Sequence, residues 1–90
     1  MIAREFRVVG RVQGVGFRWF VVRLARGCGV RGGVRNEADG AVVAWAQGEE
    51  ESLARFRAGL EQGPPAARVV RVEETPGGER PAAGEFDVEF

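Results

Sequence analysis

Apolar and polar positions alternate in five short segments of the chain, and a period of two predicts β-strands. In the fourth segment Val70 and Val72 are two residues apart. In the fifth, Phe86, Val88 and Phe90 are predicted to face inward, with acidic residues between them facing outward. The predicted strands cover residues 4–10, 30–36, 41–47, 67–74 and 85–90.

Two other segments repeat apolar residues at intervals of three and four, which predicts one buried face of a helix. Gly27 and Gly29 are predicted to end the first helix, and Gly63-Pro64-Pro65 the second. Three glutamates, 49–51, lie at the predicted start of the second helix, where the helix dipole favours negative charge. The apolar positions are Phe17, Phe20, Val21, Leu24, Ala25 and Cys28 in the first helix, and Leu53, Phe56 and Leu60 in the second.

The predicted order is β-α-β-β-α-β with one added C-terminal strand. Residues 37–40, which contain Asp39-Gly40, predict a hairpin turn, and the proline- and glycine-rich segment 75–84 predicts a loop. Two helices on one face of a mostly antiparallel sheet bury both apolar stripes, and right-handed crossovers then give a ferredoxin-like α/β sandwich of the α+β class. Ninety residues form a single domain, 1–90.

The segment 10–18, Gly-Arg-Val-Gln-Gly-Val-Gly-Phe-Arg, connects the first strand to the first helix. Its glycines, Gly10, Gly14 and Gly16, allow backbone angles that direct several N–H groups at one point. Arg18 adds a planar, permanently charged guanidinium at the start of the helix. These groups suit a tetrahedral oxyanion such as phosphate. A turn with only a structural role is equally compatible with the glycines.

The net charge of the chain is zero, but the charge is unevenly distributed. Residues 6–36 contain seven arginines and no acid, whereas residues 37–90 contain twelve acids and five arginines. A basic first third would attract a small anion, although most of these arginines are expected only to solvate strands and a helix, with Arg18 as the exception. The absence of lysine and the scarcity of Asn, Ser and Thr suggest a thermophilic source.

The chain has no histidine, lysine or tyrosine. Acid–base catalysis by histidine, a phosphohistidine intermediate and a lysine Schiff base are therefore excluded. A zinc site lacks ligands, and Asp39 and Asp87 are too far apart in sequence to suggest a magnesium dyad, so no metal or cofactor is expected. Ser52 has no histidine to activate it, Thr75 lies in a Pro/Gly segment, and Cys28 is expected to be a small core residue. Positioning and electrostatic stabilisation therefore remain as the available means of catalysis.

The segment 10–18 resembles the signature of the acylphosphatases. Two further family motifs follow in the same order and spacing: Gly33-Val34-Arg35-Asn36 with Asp39-Gly40, and Gly63-Pro64 followed by Ala67, Val69 and Val72. Together the three motifs span nearly the whole chain. One position departs from the family, because Gly33 stands where a bulky aromatic residue is usual, and looser packing near the site is expected there.

The resemblance implies the same ferredoxin-like fold and an acylphosphatase activity, the metal-independent hydrolysis of acyl phosphates to a carboxylate and inorganic phosphate. It implies that Arg18 binds the phosphoryl group and that Asn36 orients the attacking water. The backbone N–H groups that would hold the phosphate oxygens are those of Gln13, Gly14, Val15, Gly16 and Phe17. Asn36, the only asparagine, could otherwise simply stabilise the turn that follows it. Acetyl phosphate, carbamoyl phosphate, a glycolytic acyl phosphate and a protein aspartyl phosphate all fit as substrates.

Two other functions are considered. Residues 13–20 weakly resemble an RNA-recognition motif, but they fall in a loop and a helix, with Phe17 and Phe20 on the buried stripe, so no nucleic-acid partner is expected. A regulatory domain of the same fold is the second alternative, and the absence of zinc-finger cysteines favours an independent enzyme. No signal peptide or membrane-spanning segment is predicted, and one cysteine cannot form an internal disulfide. A cytoplasmic monomer is therefore expected.

Overall fold

The structure, a computed structural model, describes residues 2–78 and 84–89. Seven elements follow one another along the chain. In order they are β1 (Ile2–Arg11), α1 (Phe17–Cys28), β2 (Arg31–Asn36), β3 (Val42–Gly48), α2 (Glu50–Gln62), β4 (Arg68–Pro76) and β5 (Asp87–Val88). The predicted β-α-β-β-α-β order with one added strand is confirmed.

The five strands form one open sheet in the order β4-β1-β3-β2-β5. All pairings are antiparallel except that of β5 with β2. Because β1 and β2 are both antiparallel to β3, they run in the same direction and their carboxyl ends lie at the same edge of the sheet. Val42, the first residue of β3, pairs with Val8 of β1 and with Asn36 of β2. Asn36 and Val8 are thus two strand spacings apart, about 10 Å.

The two helices pack on one face of the sheet and enclose the core, which confirms the ferredoxin-like sandwich. Phe6, Phe56 and Phe86 are fully buried at its centre, with ring centroids 5.4 Å apart for Phe6 and Phe56 and 5.7 Å apart for Phe56 and Phe86. Each large apolar side chain buried in this way contributes about 1.5–3 kcal/mol of transfer free energy. The predicted helical stripes face this core, and Val22, which the stripe prediction omitted, is also buried in α1.

The end of α1 differs from the prediction. Gly27 lies inside α1, and Gly29 alone caps that helix, with φ 75° and its N–H directed at the carbonyls of Ala25 and Arg26. Gly10 lies in β1, within the predicted strand 4–10, and a Cβ at this position would lie 2.1 Å from the carbonyl oxygen of Arg68. Gly10 therefore permits the close approach of β4.

The two last strands also differ from the prediction. The pairing of β1 with β4 shifts between Val9 and Gly10, so Val70 has no partner on β1 and its side chain is 65% exposed, whereas Val72 is buried. This bulge turns Val70 away from the face that simple alternation assigns to it. Thr75 and Pro76 extend β4 instead of beginning a loop, and β5 is two residues long instead of six. The predicted inward position of Phe90 and residues 79–83 of the predicted loop lie outside the described residues.

Arginines of the basic first third pair with acids from the remainder of the chain. Arg26 Nε lies 2.9 Å from Glu85, and Arg7 pairs with both Asp39 and Glu73. These pairs are exposed, so each contributes little to stability. Folding therefore places acids from later in the sequence beside part of the basic segment.

Candidate active site

The loop between β1 and α1 spans residues 12–16 and is anchored at both ends by buried side chains, Val12 and Phe17. Gly14 and Gly16 both have φ 75°, a left-handed conformation that costs other residues about 1–2 kcal/mol. Gly16 is the N-cap of α1. No side chain caps the helix, and its first turn contains no acidic residue. The first N–H groups of a helix have no partner within the helix, so this end of α1 offers donors and positive potential to an anion.

Arg18 lies in the first turn of α1 and is half-buried. Trp19 follows it and is 55% exposed. Arg18 is thus two residues beyond the Gly16 cap, at the end of α1 that the loop enters.

Asn36 is the last residue of β2 and is exposed. Side chains alternate along a strand, and Val34, two residues earlier, is fully buried beneath the helices. Asn36 consequently shares the helix-side face of the sheet. This is the face on which the loop and the start of α1 lie, at the sheet edge shared by the ends of β1 and β2.

The side chain of Gln13 joins the loop to the β2–β3 hairpin. Its Nε2 donates to the carbonyl oxygen of Glu37 at 2.7 Å and to that of Ala41 at 2.9 Å. Glu37 directly follows Asn36, so the bridge fixes the loop beside the residue predicted to orient water. Sequence reasoning assigned only the backbone N–H of Gln13 to the site and missed this side chain, because its partners lie more than twenty residues away.

The hairpin itself is held by Asp39. One carboxylate oxygen accepts a hydrogen bond from the N–H of Ala41 at 3.0 Å, and the other pairs with the guanidinium of Arg7 from β1. The pKa of Asp39 is lowered mainly by the hydrogen bond from Arg7 and secondly by that from Ala41. The hydrogen bond to Asp39 in turn raises the pKa of Arg7. The N–H of Glu37 closes the turn on the carbonyl of Ala41 at 2.8 Å. The predicted Asp39-Gly40 turn is confirmed. In addition, the ion pair between Asp39 and Arg7 connects this turn to β1.

Two concavities of the described surface lie away from this site. One, of about 380 Å³, is at the opposite end of α1 and is lined by Arg26, Gly29, Val30, Arg31, Glu85 and Phe86. Another, of about 320 Å³, lies between Arg4, Arg57 and the end of β4. Gly14 and Gly16 of the loop are exposed, so a ligand could reach their N–H groups from solvent.

Other sequence candidates do not converge on the loop. Cys28 is half-buried and packs against the core, and Ser52 lies in α2. Among residues 2–78 and 84–89, no three His, Cys, Asp or Glu side chains come together as a group that could hold a metal ion. Within the same residues, neither helix is long and apolar enough to span a membrane.

Proteins of one known family are similar to nearly the whole chain. The family model described as Acylphosphatase matches residues 4–88. An acylphosphatase of Actinobacillus succinogenes is 51% identical over 74 residues, which are 82% of this chain and 82% of that protein. The chain belongs to the acylphosphatase family.

Solved structures extend this similarity to the fold. The crystal structure of acylphosphatase from Bacillus subtilis superposes with a TM-score of 0.94 over 100% of both chains, at 33% identity. The crystal structure of HypF from T. kodakarensis contains a similar unit, with a TM-score of 0.88 and 34% identity, but the match covers 100% of this chain and only 12% of HypF. The acylphosphatase fold therefore also occurs as one part of a much larger protein.

Gly33, where this chain departs from the family pattern, has the side chain of Glu89 beside it. Gly33 is buried in β2, and a Cβ added there would lie 2.6 Å from Cδ of Glu89. Glu89 donates its N–H to the carbonyl of Val34 at 2.8 Å, and its carboxylate lies 3.8 Å from Arg35. Trp45, almost fully buried, is the cross-strand partner of Gly33 on β3. The space beside Gly33 is therefore occupied, and the expected loosening is not found at this residue.

Proposed function

We propose that this acylphosphatase-family chain hydrolyses acyl phosphates by direct attack of water on phosphorus, without a metal ion. An acyl phosphate is a mixed anhydride whose carboxylate leaves without a strong general acid. Catalysis then requires mainly stabilisation of the phosphoryl oxygens and alignment of the nucleophile. A chain without histidine or lysine can supply both requirements.

The phosphoryl group would be held by the loop and by Arg18. The backbone N–H groups of Gln13, Gly14, Val15, Gly16 and Phe17 would donate to the phosphate oxygens, and the Arg18 guanidinium would add a bidentate, charged contact. The single observation that carries this proposal is the start of α1: a left-handed Gly16 cap with no capping side chain and no acid in the first turn. Such a helix start favours an anion.

The nucleophilic water would be oriented by Asn36. A carboxamide both donates and accepts hydrogen bonds, so it can hold a neutral water in one orientation. Support comes from its location, since Asn36 lies on the helix-side face of the sheet at the shared end of β1 and β2. Gln13 ties the phosphate loop to the residue that follows Asn36.

The solution state and cellular setting are also part of the proposal. We expect a monomer, because Trp19 and Val70 are the only large apolar side chains exposed in the described residues. We expect no nucleic-acid binding, because Phe17 is buried and Phe20 is half-buried, so neither offers a face for base stacking. Cytoplasmic location and a thermophilic source remain predictions from the single cysteine and from the lysine-free composition.

The direct test is phosphate release from acetyl, carbamoyl and benzoyl phosphate, with and without an excess of chelator. We expect hydrolysis that is insensitive to the chelator and inhibited by inorganic phosphate. Loss of turnover with chelator would contradict the metal-independent mechanism. Absence of turnover with every substrate would contradict the proposed activity and would favour a regulatory domain.

A further inference from the structure

The amide of Gln13 uses both of its N–H donors on the hairpin that follows Asn36. The two hydrogen bonds, 2.7 Å to the carbonyl of Glu37 and 2.9 Å to that of Ala41, leave Nε2 fully satisfied. Its two partners face each other across the mouth of the turn, where the N–H of Glu37 already donates to Ala41. One side chain therefore holds both strands of the hairpin against the loop.

The bridge connects the two halves of the candidate site. The main chain of Gln13 belongs to the loop whose N–H groups are proposed to hold phosphate, and Glu37 is covalently bonded to Asn36. A displacement of either half would change the distance between the bound phosphorus and the water at Asn36. Misplacement of reacting groups by about 1 Å can lower a rate about 100-fold.

We propose that the Gln13 side chain is a positioning residue that sets this distance and so determines turnover more than phosphate affinity. The inference rests on the proposed function, because it assigns a role within the same site. Arg18 and the loop N–H groups bind the phosphoryl group directly, so affinity depends less on the bridge. Asn36 acts only if it lies at the correct distance from that group.

The chemistry of the bridge requires a neutral side chain with two donors. A methionine of similar length would fill the space but donate nothing, and would leave two carbonyls without these partners. A glutamate would direct a carboxylate at two carbonyl oxygens. Gln13→Met is therefore the informative variant. Gln62→Met, at the exposed end of α2, is the matched control.

The experiment measures kcat and KM for acetyl phosphate and the inhibition constant for inorganic phosphate. For Q13M we expect kcat to fall about 10- to 100-fold, with the phosphate inhibition constant changing less than about threefold. Q62M should match the original chain. Circular dichroism melts would check that Q13M remains folded at the assay temperature.

A double-mutant cycle with Asn36→Ala separates positioning from general damage. If Gln13 acts through Asn36, adding Q13M to N36A should change kcat by less than about threefold, because the coupled function is already lost. An equal further loss in the N36A background would overturn the proposal. So would an unchanged kcat in Q13M, or a loss found only in phosphate affinity.

A phosphate titration followed by NMR distinguishes failure of the bridge from failure of the proposed function. In the original chain, phosphate should shift the amide signals of Gly14 and Gly16 and, through the bridge, those of Gly40 and Ala41. In Q13M only the loop signals should shift. Equal shifts of the hairpin in both proteins would refute the bridge, even if the chain hydrolysed no acyl phosphate.

Discussion

The two ends of helix α1 are built from similar parts but offer opposite chemistry. Each end has a glycine with φ 75°, Gly16 at the start and Gly29 at the finish, and each has arginine nearby. The finish has a concavity of about 380 Å³ lined in part by Arg26 and Arg31, whereas Gly14 and Gly16 are exposed in the loop at the start. The start presents N–H groups, and the finish presents carbonyl groups.

If the proposed site is correct, the direction of the backbone, and not the depth of a cavity, selects the site for an anion. At the finish of α1, Arg26 already forms an ion pair with Glu85 and donates a hydrogen bond to the carbonyl of Phe86 at 3.1 Å. At the start, the first turn contains no acid that would occupy the N–H groups. Substitutions at the two ends of α1 should therefore have unequal effects on catalysis.

Removing an arginine from each end should have unequal effects. Arg18→Ala should lower kcat/KM for acetyl phosphate about 1000-fold, because the charge that stabilises the phosphoryl oxygens is lost. Arg18→Lys should recover little, because lysine lacks the planar fork. Arg31→Ala removes the same charge from the other end and should leave kcat/KM nearly unchanged. A comparable loss in R31A would mean that overall charge, and not local binding, attracts the substrate.

Asn36→Ala should separate turnover from binding. We expect kcat to fall about 100-fold, because the attacking water loses its orientation. The inhibition constant for inorganic phosphate should stay close to its original value, because the loop and Arg18 remain intact. Normal turnover of benzoyl phosphate by N36A would show that the residue only stabilises the turn.

Gly16→Ala and Gly29→Ala form a matched pair. Neither Cβ would have a neighbour within 4 Å, so both variants mainly carry the cost of a left-handed alanine, about 1 kcal/mol, and each should lower Tm by about 4–8 °C. Only G16A should also weaken inhibition by phosphate, because its strain displaces the N–H groups of the loop. Equal phosphate affinity in both variants would argue against the loop as the binding element.

The smallest effect concerns the hairpin and its dependence on pH. Arg7 and the Ala41 N–H lower the pKa of Asp39 in the folded protein. The ionised Asp39 carboxylate therefore stabilises the fold fully above the pKa that Asp39 has in the unfolded chain. This stabilisation is lost as pH falls through the lower pKa of the folded state. Asp39→Asn should therefore be less stable than the original chain near about pH 6, and the difference should shrink as pH falls below the unfolded pKa and through the lower folded pKa. Chemical unfolding at several pH values measures it, and a difference that grows on acidification would contradict the assignment.

Much of the fold and of the candidate site could be predicted because the relevant signals are local. Helical spacing identified the faces of α1 and α2, and Asp39-Gly40 identified the turn. Val70 was misplaced because alternation assumes uniform pairing, and the shifted register at Val9 and Gly10 inserts a bulge. Periodicity also does not reveal that Gly27 lies inside a helix.

The available chemistry can be read from the residues alone: a glycine-rich turn before a helix, one arginine at its start, one asparagine at a strand end, and no histidine or lysine. The bridge from Gln13 to Glu37 and Ala41, and the position of Glu89 beside Gly33, are seen only in the folded chain. This division arises because backbone conformation and residue chemistry are encoded locally. Contacts between remote segments depend on sheet order and register, which the spacing of apolar residues does not specify.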